Sequence, residues 1–209
     1  MIRFLNAFVK ITAWIPQAIV FRTKYYYVDK KIQSRSIKGK AIIMSNHTSV
    51  YDYAAMIFAF PFRTLRYQMA EVLFKKKGLA RFLKAMGGIY VDRNTVNFNF
   101  LNVSCDILNK NGIVGVFPES RLPKEGEIPP LPFKKSITIL ALMSDTPIIP
   151  VYTNGHYFTK DRARMVIGTP IDVKSMYDDN ISEEENIKII TEKLRERIIE
   201  LGKVLDEKK

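Results

Sequence analysis

Ala41-Ile42-Ile43-Met44-Ser45-Asn46-His47-Thr48-Ser49-Val50-Tyr51-Asp52, running on into Tyr53-Ala54-Ala55-Met56-Ile57-Phe58-Ala59-Phe60-Pro61, is the stretch whose reading decides the fold. The apolar run 41–44 predicts a buried strand, and 53–60 a buried helix stopped by Pro61. His47 then sits in a strand-to-helix turn at the carboxyl edge of a sheet, where open α/β folds place their chemistry. On one continuous helix, residues five apart point about 140° away from each other, so His47 and Asp52 could not touch. With His47 in the turn and Asp52 one turn into the helix, the carboxylate can reach back to the imidazole. Such a pairing fixes the ring tautomer and makes the other nitrogen a general base. The plainer alternative is a capping or core histidine beside an ordinary first-turn acid.

Outward from this stretch, strands and helices alternate. Thr64–Met69, Ile89–Val91, Ile113–Phe117, Pro147–Tyr152 and Arg164–Ile167 read as strands. Glu71–Met86, Phe98–Asn109 and the segment from Phe133 to about Met143 read as helices. Ser182 and Glu185 form a capping box for a last amphipathic helix carrying Ile187, Ile190, Leu194, Ile198 and Leu201. This alternation predicts a single α/β domain with a mostly parallel central sheet flanked by helices.

The chain has 209 residues, 47% of them hydrophobic, which suits one domain with a real core. Its net charge of +12 favours phosphate-bearing ligands, anionic membrane surfaces or acidic partners. Its basic residues are dispersed and no nucleic-acid reading motif is present, so nucleic acid is not expected as a partner. One cysteine, Cys105, precludes an internal disulfide and a cysteine-based zinc cluster.

The first 30 residues differ from the rest. Residues 2–15 are mostly apolar, with Arg3, Asn6, Lys10 and, beyond a kink expected at Pro16, Gln17 on one narrow stripe. A wide apolar face with a basic stripe and Trp14 suits a helix lying in a membrane interface. Residues 1–30 are therefore expected to be an N-terminal amphipathic, membrane-interface segment, and 31–209 the α/β domain. The longest uncharged run, 11–21, is too short to span a bilayer. No small-residue cleavage site follows it, so it does not read as a signal peptide.

Polar groups stand at the ends of separate predicted strands: His47 and Asp52, Arg93, then Glu119 and Arg121, with Lys134 after a long loop. Two arginines and a lysine near a candidate base describe an anion site beside a proton acceptor. These segments also carry a resemblance. Asn46-His47-xxxx-Asp52 resembles the first motif of the glycerolipid acyltransferases, the lysophosphatidic acid acyltransferase family. Gly88-Ile89-Tyr90-Val91-Asp92-Arg93 resembles the second, Phe117-Pro118-Glu119-Ser120-Arg121 the third and Ile148-Ile149-Pro150-Val151 the fourth. Phe133-Lys134 is similar to the basic step that follows the third. The third motif usually reads Pro-Glu-Gly-Thr/Ser-Arg; here Ser120-Arg121 follows Glu119 directly, one residue shorter and without the glycine, which leaves the register of Arg121 open.

The resemblance implies transfer of an acyl group from a thioester to the free hydroxyl of lysophosphatidic acid, giving phosphatidic acid. It implies His47 as the base, Asp52 as its orienting partner, and Arg93, Lys134 and Arg121 as holders of the acceptor phosphate. Glu119 is implied to bind the glycerol or to brace the site. It requires no cofactor and no metal; acyl-CoA or acyl carrier protein enters as a co-substrate. It places the protein at the cytoplasmic face of a membrane, peripherally or monotopically. Competing readings are a thioesterase that uses His47 on water and a non-enzymatic protein that binds anionic lipid.

Overall fold

The computed structural model describes residues 1–93 and 98–208. In chain order its elements are α1 (Ile2–Thr12), α2 (Trp14–Phe21), β1 (Lys24–Tyr27), β2 (Ala41–Ser45), α3 (Asp52–Ala59), β3 (Leu65–Ala70), α4 (Lys77–Ala85), β4 (Ile89–Val91), α5 (Asn99–Asn109), β5 (Ile113–Val116), α6 (Ser136–Ser144), β6 (Ile148–Thr153), β7 (Arg164–Ile167) and α7 (Glu183–Asp206). The strands form one sheet in the order β1-β7-β6-β2-β5-β3-β4. β6, β2, β5, β3 and β4 are mutually parallel, and the β1–β7 pair runs antiparallel to them. The chain is thus α/β with a mostly parallel seven-stranded sheet, as its alternating pattern predicts.

β2 lies at the centre, and its sequence explains why. Successive strand residues point to opposite faces. Ile42 and Met44 enter the cluster formed with α5, α6 and α7, whereas Ala41 and Ile43 enter the cluster formed with α3 and Phe21. A strand covered on both faces needs an unbroken apolar run rather than an alternating one. The chain leaves β2 through α3 on one face and leaves the neighbouring β5 through α6 on the other. The carboxyl ends of β2 and β5 therefore flank the topological switch point, the crevice where such sheets bind ligands.

Several boundaries differ from the sequence reading. Helix 71–86 is two pieces: a 3-10 turn over Glu71–Phe74, then α4, with the Lys75-Lys76 step between them. Lys24–Tyr27, read as a basic-aromatic continuation of the N-terminal segment, is an edge strand paired with β7. Lys134 precedes α6 by two residues rather than opening it. Ser182 caps α7 as expected, accepting the Glu185 N–H.

The N-terminal helices depart most. The bend falls at Ala13, where α1 and α2 meet at 58°, not at Pro16. Pro16 sits in the first turn of α2, where a missing N–H costs nothing. Moreover, the polar stripe of α1 faces the domain. Asn6 and Lys10 are buried, while Phe4, Phe8 and Ile11 are exposed. Lys10 Nζ donates to the carbonyls of Phe60, Pro61 and Arg63 (3.0, 3.3 and 2.6 Å), the end of α3 and the turn beyond it. Asn6 Nδ2 donates to Met86 O (2.9 Å). The helix is held to the domain by its polar side, with its apolar side facing out.

β5 carries a glycine for a packing reason. Gly115 lies opposite Tyr67 of β3, and a Cβ there would run into the Tyr67 ring. Tyr67 is fully buried. Gly115→Ala is expected to lower the unfolding free energy by about 1–3 kcal/mol through overpacking; a denaturant midpoint equal to that of the wild type would contradict this packing.

Candidate active site

The turn after β2 is held by Asn46, ahead of the candidate base. Asn46 is buried, and its side-chain amide pairs with the backbone of Thr153 in β6. Nδ2 donates to Thr153 O and Oδ1 accepts the Thr153 N–H, both at 2.9 Å. This extends the β2–β6 pairing by one side chain, so Asn46 is a strap between strands.

Asp52 opens α3 and is completely buried. Its Oδ2 accepts the backbone N–H groups of Thr48 (2.7 Å) and Ser49 (2.8 Å) and lies 2.9 Å from His47 Nδ1. Its Oδ1 accepts from Tyr157 OH (2.8 Å) and Thr48 Oγ1 (3.3 Å). A carboxylate on Nδ1 assigns the ring proton there and leaves Nε2 with its lone pair. Among the described residues no group hydrogen bonds Nε2, and the His47 side chain is 20% exposed. The ring stacks on Phe117 (centroids 4.3 Å apart, planes 12°), which stacks on Tyr67 (4.9 Å, 30°). Rotation of the imidazole is thus opposed by an aromatic floor as well as by the carboxylate.

Glu119 is a brace. It is buried, with Oε1 accepting the His47 backbone N–H (2.7 Å) and Oε2 accepting the Leu131 N–H (2.6 Å). Burial pushes its carboxyl above the usual range, and the two N–H bonds oppose that rise. The bond to His47 crosses the switch point from β5 to β2. The bond to Leu131, together with Lys134 N–H on Pro118 O (2.9 Å), closes the long loop back onto the site. Ser120 stands at φ 59°, the left-handed region where glycine is the usual occupant. The turn therefore keeps a glycine's backbone shape with a serine.

The three cations predicted to gather here do not all do so. Arg93 reaches the same sheet edge: Nη1 donates to Ser120 O (2.9 Å), next to Glu119. Its Nε and Nη2 form a two-pronged pair with Glu71, 3.0 Å each. That guanidinium holds the Glu71 carboxyl down at about 2. Arg121 instead turns to Glu127 within its own exposed loop. The Lys134 side chain is exposed, and among the described residues neither it nor Arg121 bonds to His47, Asp52 or Glu119. His156 lies 3.7 Å from Asp161 on the surface.

Sequence reasoning missed Tyr157 and Glu71. Tyr157 is buried, shares a hydrogen bond with Thr153 Oγ1 (3.1 Å), and packs on Phe21 at the end of α2 (centroids 5.2 Å apart). Its signal was a polar aromatic just past the end of β6, on the same edge as His47. Gly155 (φ 68°) lets that turn approach Thr48 so closely that a Cβ would clash with it. Among the described residues no group of three His, Cys, Asp or Glu is arranged to hold a metal ion.

A strand-end His-Asp pair at the switch point of a parallel sheet defines a class of α/β protein with a candidate base at its carboxyl edge. Comparison with known proteins makes the class specific. The family model described as Acyltransferase matches residues 24–154, and the chain belongs to that family. It is similar to the 1-acyl-sn-glycerol-3-phosphate acyltransferase of Limnanthes douglasii, 30% identical over 161 residues, covering 71% of this chain and 54% of that protein. It is also similar to 1-acyl-sn-glycerol-3-phosphate acyltransferase beta of Homo sapiens, 28% identical over 114 residues, covering 53% of this chain and 40% of that protein. The chain spans about half the length of the curated relatives it matches. Among solved structures, the crystal structure of the 1-acyl-sn-glycerophosphate (LPA) acyltransferase PlsC from Thermotoga maritima shares its fold. The TM-score is 0.63 at 22% identity, covering 87% of this chain and 73% of that one.

Glu119→Gln sets an amide NH₂ against one of two buried N–H donors. It is expected to cost about 1–3 kcal/mol of unfolding free energy, whereas Arg121→Ala, which breaks a solvent-exposed pair, is expected to leave the midpoint nearly unchanged. Equal midpoints for the two variants in denaturant titration would overturn the bracing role.

Proposed function

We propose that this chain transfers an acyl group from a thioester to the free hydroxyl of a lysophosphatidic acid. The observation that carries the reading is the His47–Asp52 pair, with Nε2 open at the switch point. His47 Nε2 takes the hydroxyl proton as the oxygen attacks the thioester carbonyl carbon. The carbon–sulfur bond then breaks, and the imidazolium returns the proton to the leaving thiolate. Phosphatidic acid and a free thiol result, and atoms and charge balance. Asp52 orients the ring and stabilises its cationic form during the step. Glu119 holds the backbone of His47 rather than moving a proton.

Arg93 is the phosphate holder on this reading. The acceptor phosphate shares or displaces Glu71 at the guanidinium while Arg93 keeps its bond to Ser120 O. Arg121 and Lys134 add positive charge to the approach without fixing the phosphate. The donor is acyl-CoA or acyl carrier protein, both anionic and suited to a chain of net charge +12.

Helices α1 and α2, within residues 2–21, serve as the membrane-interface segment, and the acyltransferase domain takes in β1 at 24–27 rather than starting at residue 31. Phe4, Ile11 and Ile19 of the bent pair are 77%, 76% and 69% exposed, large apolar side chains that water disfavours. No single helix among the described residues is long and apolar enough to cross a membrane. The basic charge suits the anionic cytoplasmic leaflet.

The test is thiol release from acyl-CoA, and separately from acyl carrier protein, with and without lysophosphatidic acid, the lipid product being followed by mass spectrometry. Release that requires the acceptor and falls by about two to four orders of magnitude in His47→Ala is expected. Release without acceptor would make the chain a thioesterase, and vesicle binding with no turnover would make it a lipid-binding protein. Phe8→Asp with Ile11→Asp is expected to abolish flotation with vesicles while leaving the melting temperature nearly unchanged; undiminished flotation would overturn the membrane reading.

A further inference from the structure

A cleft of about 830 Å³ opens at the opposite end of the sheet from His47, where β3 and β5 begin. One wall is the inner stripe of α1 and the other is the end of α5. Arg3, Lys10, Arg63, Arg66 and Lys110 line it. Asp106 is the acid in that lining, and among the described residues it forms no ion pair. Among the described residues none of the five cations has a carboxylate partner either. Cations withdrawn from water are ordinarily paired. Here burial pulls the Lys10 ammonium down to about 8 and lowers Arg66 as well.

Their donors are not all engaged. Lys10 is saturated by its three carbonyls. Arg63 donates to Ile37 O and Asn111 O. Arg66 donates Nε–H to Gly87 O (3.2 Å), and among the described residues no acceptor takes either Nη group. Arg3 and Lys110 are exposed at the mouth. Asn6, 1% exposed, also lines the cleft, and its Oδ1 is a buried acceptor without a partner. Beside them stand the exposed Phe62 and the outward apolar face of α1.

From this arrangement we infer that the cleft seats the headgroup of an anionic membrane phospholipid, distinct from the acceptor at the His47 edge. Arg66, Arg3 and Lys110 bind the phosphate, and Asn6 Oδ1 accepts from a headgroup hydroxyl or its water. The lipid's acyl chains run alongside the exposed face of α1. The site rests on the membrane-interface reading and deepens it: the apolar face supplies adhesion, and the headgroup fixes the orientation of the sheet on the bilayer. The cleft straddles the amino-terminal edge of the sheet, with α1 docked on the α3 side and α5 on the side of α6 and α7.

The test uses the full chain and vesicles of phosphatidylcholine alone or with phosphatidylglycerol added, read by sedimentation and by the emission of Trp14, the single tryptophan. Arg3→Gln/Arg66→Gln/Lys110→Gln is expected to bind the anionic vesicles at least about tenfold more weakly than the wild type and neutral vesicles equally well. Lys188→Gln/Lys193→Gln/Lys203→Gln removes the same charge from exposed positions on α7, and is expected to bind anionic vesicles within about threefold of the wild type. Equal losses in the two triples would reduce the effect to general charge, and no loss in the first would remove the site. In either case, continued binding of the wild type to neutral vesicles leaves the membrane reading standing; failure of the wild type to bind any vesicle overturns that reading as well.

Discussion

A buried carboxylate with no cation bonded to it is costly, by several kcal/mol when its hydrogen bonds are incomplete. Asp52 meets that constraint with five donors: two backbone N–H groups, two hydroxyls and the His47 ring. Hydrogen bonds to a charged group contribute about 1.5–3 kcal/mol each, so the carboxylate is tolerable only while the set is nearly complete. Completing it dictates the local structure. The chain must turn sharply at 47–49 to aim successive N–H groups at one oxygen, and β6 must end close enough to deliver Tyr157. The geometry of the His47–Asp52 pair and the folding of the β2–α3 turn are therefore one requirement.

The surroundings show how that turn is held against the rest of the sheet. Asn46 ties it to β6, Glu119 ties it to β5, and the His47–Phe117–Tyr67 stack rests it on the space above Gly115. These ties come from different strands, which meet only because the sheet reverses its winding between β2 and β5. Glu119 thereby has a physical reason to be an acid: one side chain must accept N–H groups from two directions, and a carboxylate has two oxygens to do so. The same reasoning separates Arg93, bonded to the Glu119 turn, from Arg121, whose charge is matched inside its own loop.

The inverted helix at the N-terminus obeys the same logic of satisfied polar groups. Lys10 caps carbonyls left over at the end of α3, which places a cation at the negative end of a helix dipole. Anchored that way, α1 has no means of burying its apolar face in this chain. Phe21, at the end of the following helix, packs on Tyr157, so the segment that presents the apolar face also supports a donor to Asp52.

The fold was legible because the runs 41–44 and 53–60 carry no charge, and a sheet covered on both faces buries such segments. The His47–Asp52 contact was legible only once His47 was placed in a strand-to-helix turn; the spacing by itself left a capping histidine as the alternative. What escaped depended on contacts distant in sequence. Tyr157 lies 105 residues from Asp52. The pairing of Arg93 with Glu71 gives no periodic signal, and the inward stripe of α1 has the same residue spacing as an outward one. Asp52→Asn tests the account most directly, since it keeps the shape of the side chain and removes its charge. With purified protein, acyl thioester and lysophosphatidic acid, kcat is expected to fall by about three to four orders of magnitude. A variant that retains activity within about tenfold of the wild type would show that the carboxylate does not govern His47, and the central claim would be wrong.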